Sequence, residues 1–369
     1  MKSPFRLERR LDQPKSLNWI VPLVSVAAAL VLGAIVLLFT GKNPLSTYWR
    51  ILESAFASGD SIEGTIRAAT PLAFTGLCAA ITFRTGIVNI GGEGQYFMGA
   101  VGAAWAGLYF AGSAKPLVIM MMILSGMVWG AMYAGIAGLL RARFNTNEII
   151  VTLMMNYLAG IFLDHLIFGS SSYWRDPKSF GFPTGKMLDA KEYWPRVHVF
   201  GLEITLGFIL AIVVAVALWF MYTRTRFGYE MSVISDAPNA AKYAGIPMRL
   251  RIFTVMALAG AVAGFGGASD VGDFRHVLDA KGLQMAGYGY TGIVVAALAR
   301  NNPLGAVFVA VIMGGLRNAG FALQGPDFPS GLVGTLQGLI LFTAVAGEVL
   351  TRYRIRVRAN NAEIGRAHV

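Results

Sequence analysis

Asn89, Glu93 and Gln95 lie in a string, Gly86-Ile-Val-Asn89-Ile-Gly91-Gly92-Glu93-Gly94-Gln95, that interrupts apolar sequence on both sides. Two amides and a carboxylate can hydrogen-bond a polar solute, and the glycines let a helix unwind beside them. In hydrocarbon, unwound backbone survives only where protein buries it or a water-filled path wets it. Discontinuous helices of this kind form transport sites. An ordinary turn after Arg84, with Glu93 capping the next helix, is the plainer alternative; the polar content favours a broken element near a solute path. A second polar seam is Glu148, Thr152, Asn156, Gly160 and Asp164, each four residues beyond the last. Successive members drift only ~40° around an ideal helix, so neighbours share a face. Asn156, near the middle of its apolar run, is the best placed to touch a polar solute. An interhelical hydrogen bond that holds the bundle together is the other reading of it. Glu148 reads as a cap or gate at the cytoplasmic edge; Asp164 and His165 face an outer vestibule or a neighbouring helix. Tyr288 and Tyr290 offer aromatic faces to a base, with interface packing as the commoner role.

Other chemistry is missing. No Gly-x-x-x-x-Gly-Lys-Ser/Thr phosphate loop occurs; Gly181-Phe-Pro-Thr-Gly185-Lys186-Met187 has the wrong spacing and ending. Gly287-Tyr-Gly289-Tyr-Thr-Gly292 matches the dinucleotide fingerprint literally, yet it opens an apolar run and follows no strand. His165, His198, His276 and His368 form no ligand-spaced pair, and Cys78 is the lone cysteine, so no disulfide or cysteine metal site forms within the chain. The chain reads as neither an ATPase nor any other enzyme, with no bound cofactor or metal.

The polar segment 223–251 is unlike a simple connector. Within it Ser235 or Asp236 can cap a short helix, Pro238 suits its first turn, and Gly245 can end it. With Asn239, the small residues Ala240, Ala241 and Ala244 give a face that another protein can approach. The plainer reading is a loop helix lying against the bilayer.

The elements that position these residues follow from composition. The chain is 55% hydrophobic and 14% charged, with mean hydropathy +0.57; a soluble domain carries roughly 25% charge. Repeated apolar runs of about 20 residues each span the ~30 Å core of a bilayer. They read as 18–40, 65–83, 94–111, 116–140, 148–168, 202–222, 252–268, 286–299, 304–319 and 332–350. The run 286–299 is short for a span. The expected fold is an all-α polytopic membrane protein with about ten transmembrane helices, one permease domain over 18–350.

Positive charge orients the spans. It gathers in the N-terminal tail 1–17 (Lys2, Arg6, Arg9, Arg10, Lys15), at Arg141 and Arg143, over 223–251, and in the basic tail 351–369 (Arg352, Arg354, Arg356, Arg358). All four regions are therefore expected in the cytoplasm, with both termini inside. The loop 169–201 mixes its charges and carries Tyr173, Trp174, Tyr193 and Trp194, which suit an outer interfacial belt. The net charge of +11 reports topology and calls for no nucleic acid. The first apolar run lacks a small-residue cleavage site and reads as a retained anchor. Residues 363–369, Glu-Ile-Gly-Arg-Ala-His-Val, read as non-native, in the form a sequencing adapter would encode.

These residues carry a resemblance. Over about 17–350 the chain resembles the inner-membrane permeases of bacterial ABC importers in the branched-chain amino acid, ribose and nucleoside family, most like the nucleoside-type (guanosine/uridine) subgroup. The string from Thr85 to Gln95 is similar to that subgroup's glycine-rich motif, and Asn147-Glu-Ile-Ile-Val-Thr-Leu-Met-Met-Asn156-Tyr157 to its fifth-span motif. Ala240-Ala-Lys-Tyr-Ala-Gly245-Ile246 resembles the loop that contacts the ATPase, and Tyr290-Thr-Gly292 through Pro303-Leu-Gly305 the late-span signature. The resemblance implies a type II ABC importer-like fold in two pseudo-symmetric five-span halves, in the bacterial plasma membrane. It implies a second permease subunit, expected to form a heterodimer with this one. It also implies an ATP-binding subunit that holds ATP and Mg, and an extracytoplasmic solute-binding protein. Membrane lipid is the remaining partner. Asn89, Glu93, Gln95, Asn156, Tyr288 and Tyr290 are then the candidate path, and Asp236, Asn239, Ala240, Ala241 and Gly245 the candidate ATPase contact. A simple-sugar permease is one alternative. From another class comes a secondary transporter using Glu93 or Glu148 as its coupling carboxylate. A channel is disfavoured, because no pore motif repeats.

Overall fold

The computed structural model describes residues 5–9, 17–169, 171–179, 181–199, 201–323 and 331–357; the tail 363–369 lies outside them. In chain order the elements are β1 (Phe5–Arg9), α1 (Leu17–Phe39), α2 (Pro44–Phe56), α3 (Gly59–Arg84), α4 (Gly92–Tyr109), α5 (Lys115–Phe144) and α6 (Glu148–Asp164). The hairpin β2 (Arg196–Val199) and β3 (Leu202–Thr205) follows, then α7 (Leu206–Arg224), α8 (Arg226–Asp236), α9 (Pro238–Tyr243) and α10 (Met248–Ser269). The last are α11 (Ala280–Ala286), α12 (Tyr288–Leu298), α13 (Pro303–Ala322), α14 (Leu332–Arg352) and β4 (Tyr353–Val357). Widened π turns extend α6 over His165–Gly169 and α10 over Asp270–Arg275.

Among the described residues, six helices are long and apolar enough to cross a membrane: Gly59–Arg84, Lys115–Phe144, Glu148–Gly169, Leu206–Arg224, Met248–Arg275 and Pro303–Ala322; Leu23–Phe39 and Pro44–Phe56, bent by 116°, pass the same test together. Several expected spans differ from these in instructive ways. The run 286–299 yields only the 11-residue α12, cut from α11 at Gly287. The run 202–222 starts late, because 202–205 pairs as β3 with β2 and the helix begins at Leu206. α10 runs past 268 into its π turn, and α2 follows α1 without having been expected.

The chain divides into two compact units. In the smaller, Met1–Leu45 with Gly334–Val369, β1 pairs antiparallel with β4, Phe5 opposite Val357. There α14 meets α1 at Gly347, where an added Cβ would strike Ser25. In the larger unit, Ser46–Val333, α3 and α10 are buried along most of their length, and α5, α6, α7 and α13 leave one side exposed.

Lipid tails are as apolar as leucine, so these helices hold together by close packing and polar contacts rather than by burial from water. α5 and α10 show how. Gly126 and Gly130 on α5 lie one turn apart and face Gly260 and Gly264 on α10; a Cβ at Gly264 would fall on the Gly126 carbonyl and the Gly130 Cα. Only glycine permits that backbone approach.

The segment between α6 and α7 is pinned to the helices by backbone and ring contacts. Trp174 Nε1 donates to the Val101 carbonyl (3.0 Å), the Trp194 amide to Gly272 (3.1 Å), and Leu188 to His276 (2.8 Å). Tyr193 stacks on His276 at 3.5 Å. In the hairpin, Glu203 takes Arg196 at 2.9 Å and His198 at 3.3 Å. Arg196, foremost, holds its carboxyl below the usual range.

Candidate functional site

The site is built around two helix breaks that face each other. α3 stops at Gly86, whose φ of +74° is left-handed; Gly86 donates to Phe83 O and Ile87 to Thr82 O, both at 3.1 Å. That paired arrangement is the glycine helix stop of a Schellman motif. The chain then runs non-helically to α4. Asn89 is buried there and paired amide to amide with Gln95: its Oδ1 accepts from Gln95 Nε2 (3.1 Å) and its Nδ2 donates to Gln95 Oε1 (3.2 Å). Asn89 Oδ1 also takes the Gly91 amide at 2.9 Å, and Cys78 Sγ donates to Gln95 Oε1 at 3.4 Å. Asn89 and Gln95 thus hold the break in shape.

The second break is at Gly287, left-handed with φ +59°, between α11 and α12. Arg317 and Glu93 reach its two helix ends. Arg317 of α13 donates through Nη1 to the Ala286 carbonyl at the end of α11 (2.7 Å), and its guanidinium lies 4.6 Å over the Tyr288 ring. Glu93 crosses from α4 and accepts the Gly289 amide in the first turn of α12. A cation at a helix C-terminus is favourable, and a carboxyl oxygen at an N-terminus satisfies an amide that the helix leaves free. Gly289 makes the approach possible, because a Cβ there would collide with the Glu93 backbone.

α6 ties the breaks together through the seam expected from its spacing. Glu148 pairs with Arg141 at 3.2 Å. Thr152 Oγ1 accepts the Ile90 amide at 3.2 Å. Asn156 Oδ1 accepts the Gly94 amide (2.9 Å), while its Nδ2 donates to the Ile90 carbonyl (2.8 Å) and the Tyr290 hydroxyl (3.3 Å). Gly160 O receives Gln284 Nε2 at 3.4 Å, and Asp164 binds Gln284 (2.8 Å) and Lys281 (3.1 Å) on α11. The seam is therefore a continuous clamp, and Asn156 has its polar atoms engaged.

Five of the six candidate path residues, Asn89, Glu93, Gln95, Asn156 and Tyr290, thus meet in one cluster. Tyr288 stands apart: it is buried, with its ring 5.6 Å from that of Tyr96. Tyr290 is the member that opens outward, 41% exposed while Asn156 is 4% exposed.

The expected coupling segment takes a different local form. Asp236 ends α8 instead of capping the next helix, and α9 starts at Pro238 with no side-chain cap. Its end is as expected: Gly245 has φ +71°, Gly245 N donates to Lys242 O and Ile246 N to Ala241 O. Ala241 is fully buried, so the outward face is Asn239, Ala240, Ala244 and Tyr243, the last 93% exposed.

Sequence reasoning passed over Arg317 and the cluster at the end of α10. There Arg275 pairs with Asp270 (2.8 Å) and Asp279 (2.7 Å) and donates to Gly282 O (3.1 Å), tying α10 to α11. A lone arginine inside an apolar span was the available signal for Arg317. The expected span ends at 268, short of Asp270 and Arg275, so that cluster falls outside it.

Six membrane-length helices among the described residues, joined to their neighbours by polar contacts at the helix ends, are those of a multi-pass membrane protein. Residues 61–345 match the family described as branched-chain amino acid transport system / permease component, and the chain belongs to that family. It is 34% identical over 312 residues to the guanosine ABC transporter permease protein NupP of Bacillus subtilis (strain 168), covering 81% of this chain and 84% of that one. The nucleoside ABC transporter permease protein NupB of Lactococcus lactis subsp. cremoris (strain MG1363) is 29% identical, covering 89% and 91%. The glucose ABC transporter permease protein TsgB13 of Haloferax volcanii is 28% identical, covering 98% and 97%. The chain is thus the permease component of an ABC transporter, a multi-pass protein of the plasma membrane.

Proposed function

We propose that this permease imports nucleosides, driven by ATP that a partner subunit hydrolyses. The observation that carries the substrate is likeness to two nucleoside permeases over more than four fifths of the chain. Tyr290, an outward-open aromatic ring fixed by Asn156, suits a base, and exposed Tyr157 lies one residue beyond Asn156 on α6. The route runs past Tyr290, with Asn89, Glu93, Gln95 and Asn156 supporting its wall. A simple sugar is the second reading, favoured by the likeness to TsgB13.

The permease domain covers 18–350 in ten spans arranged as two five-span halves. What supports the halves is reciprocal packing: α5 lies chiefly on α10 while α13 lies on α3, and α4 lies on α10 while α12 lies on α3. An even span count with both termini cytoplasmic is supported by the pairing of β1 with β4. The loop 169–201 faces outward and receives a solute-binding protein. Segment 223–251 docks on the ATP-binding subunit through α9, and ATP and Mg stay with that subunit. A second, homologous permease completes the pair; in support, NupP and NupQ of Bacillus subtilis are both guanosine permeases and both resemble this chain.

The test is uptake of labelled guanosine, uridine and glucose by vesicles holding this chain, its second permease and its ATPase, with the binding protein added. Nucleoside uptake that needs ATP and all subunits is expected. Uptake by this chain alone on an ion gradient would overturn the proposal, and glucose uptake without nucleoside uptake would shift it to the sugar reading.

A further inference from the structure

A groove runs along α5 from Tyr133 to Leu140, along α6 from Ile150 to Phe162, and over α4 at Met98. Its cavity of about 610 Å³ is lined by Met98, Tyr133, Ile136, Leu140, Met154 and Leu158, with further apolar side chains. Its one polar side-chain group, the Tyr133 hydroxyl, is already engaged in donating to the Met155 carbonyl at 2.6 Å. A nucleoside or an ion would find no partner here and would lose its hydration. Ile136, Met154, Leu158 and Phe162 are exposed along the groove. In a bilayer such an opening faces hydrocarbon, and the methionines of its wall adapt to a flexible occupant.

Length and charge narrow the occupant. Ile150 and Phe162 mark the ends of the groove on α6. Twelve residues of helix between them rise about 18 Å, close to the ~15 Å that one leaflet contributes to a ~30 Å core. At the inner rim, Arg141 is held by Glu148 (3.2 Å) and the Thr146 carbonyl (2.9 Å). Arg143, two residues on, is exposed and makes no ion pair among the described residues. A basic side chain at the cytoplasmic mouth of a cleft between membrane helices attracts an anionic headgroup.

We propose that this groove binds one acyl chain of an anionic phospholipid of the cytoplasmic leaflet, its headgroup held at Arg143. The inference rests on the orientation proposed above and is independent of the transported solute. The test uses the full-length chain in vesicles containing phosphatidylglycerol or phosphatidylcholine with identical, photoactivatable acyl chains, and maps the labelled peptides by mass spectrometry. Groove peptides of α5 and α6 should be labelled several-fold more by phosphatidylglycerol. Arg143→Gln should bring the two lipids level, and Met154→Trp, which fills the slot, should remove the label with either. Equal labelling of the unaltered chain by both lipids would overturn the proposal, leaving only bulk lipid. It would equally fall if the groove stayed unlabelled while Met154→Cys, in a Cys78→Ala background, formed a disulfide between copies.

Discussion

At the scale of single residues, Asn156 illustrates how an intramembrane amide becomes structural. Its two polar atoms satisfy backbone groups left orphaned between α3 and α4, the Gly94 amide and the Ile90 carbonyl, and also reach the Tyr290 hydroxyl. Replacing it by Leu keeps the helix and strands the first two in a dry interior, at about 1–3 kcal/mol for each. Asn156→Leu should therefore lower the thermal midpoint of the purified protein by several degrees as well as reduce uptake; an unchanged midpoint would contradict the clamp. The exposed hairpin offers a pH counterpart. Glu203 has a lowered carboxyl pKa, first through its bond to Arg196. A depressed folded value means that its support is fully present above the unfolded carboxylate range and is lost as pH falls through the folded value. Hydrogen exchange of the β2–β3 amides should be faster in Glu203→Gln than in the parent at neutral pH. The two should converge in acid below that window. Such polar positions were legible in the sequence because hydrocarbon makes an isolated amide or carboxylate expensive, which flags Asn89, Glu93 and Asn156 wherever they point. What Glu93 and Asn156 bind was illegible: their partners lie on elements 62 to 196 residues away, as for Glu93 and Gly289.

Among elements, the interrupted helices and the close-packed pair dominate. The Gly126–Gly130 and Gly260–Gly264 spacings could be read as small-residue packing faces, but their mutual register emerges only in three dimensions. Gly264→Val would force α5 and α10 apart, and overpacking of that kind costs typically 1–3 kcal/mol. It should cut the yield of folded protein and lower its melting temperature; a melting temperature equal to the parent's would show that the two backbones do not touch. The break at Gly287 escaped the apolar pattern because hydrophobic residues continue across it and only the glycine marks the left-handed turn. The short α9 was legible at its end, where Gly245 stops it, and misread at its start, because α8 continues through Asp236. Gly245→Val places a β-branched residue in the left-handed region. It should lower substrate-stimulated ATP hydrolysis of the assembled complex several-fold while leaving membrane insertion intact. Unchanged stimulation would remove α9 from the ATPase contact.

In the whole molecule, the two breaks meet within the larger unit, where α3 and α4 pack on α12 and α6 reaches α4 and α11. A movement of α4 and α6 against α12 must pass through Glu93, Asn156 and Gly289, because they bridge those helices. Tyr290 stands at the open side of that junction and reports directly on the proposed route. The decisive measurement is the reaction rate of Tyr290→Cys, in a Cys78→Ala background, with a small water-soluble thiol reagent in the reconstituted complex. The route predicts labelling whose rate changes between nucleotide-free and ATP-bound states and falls when nucleoside and binding protein are present. A cysteine at 290 that is inert in every state, or that reacts at one rate regardless of nucleotide and nucleoside, would contradict it.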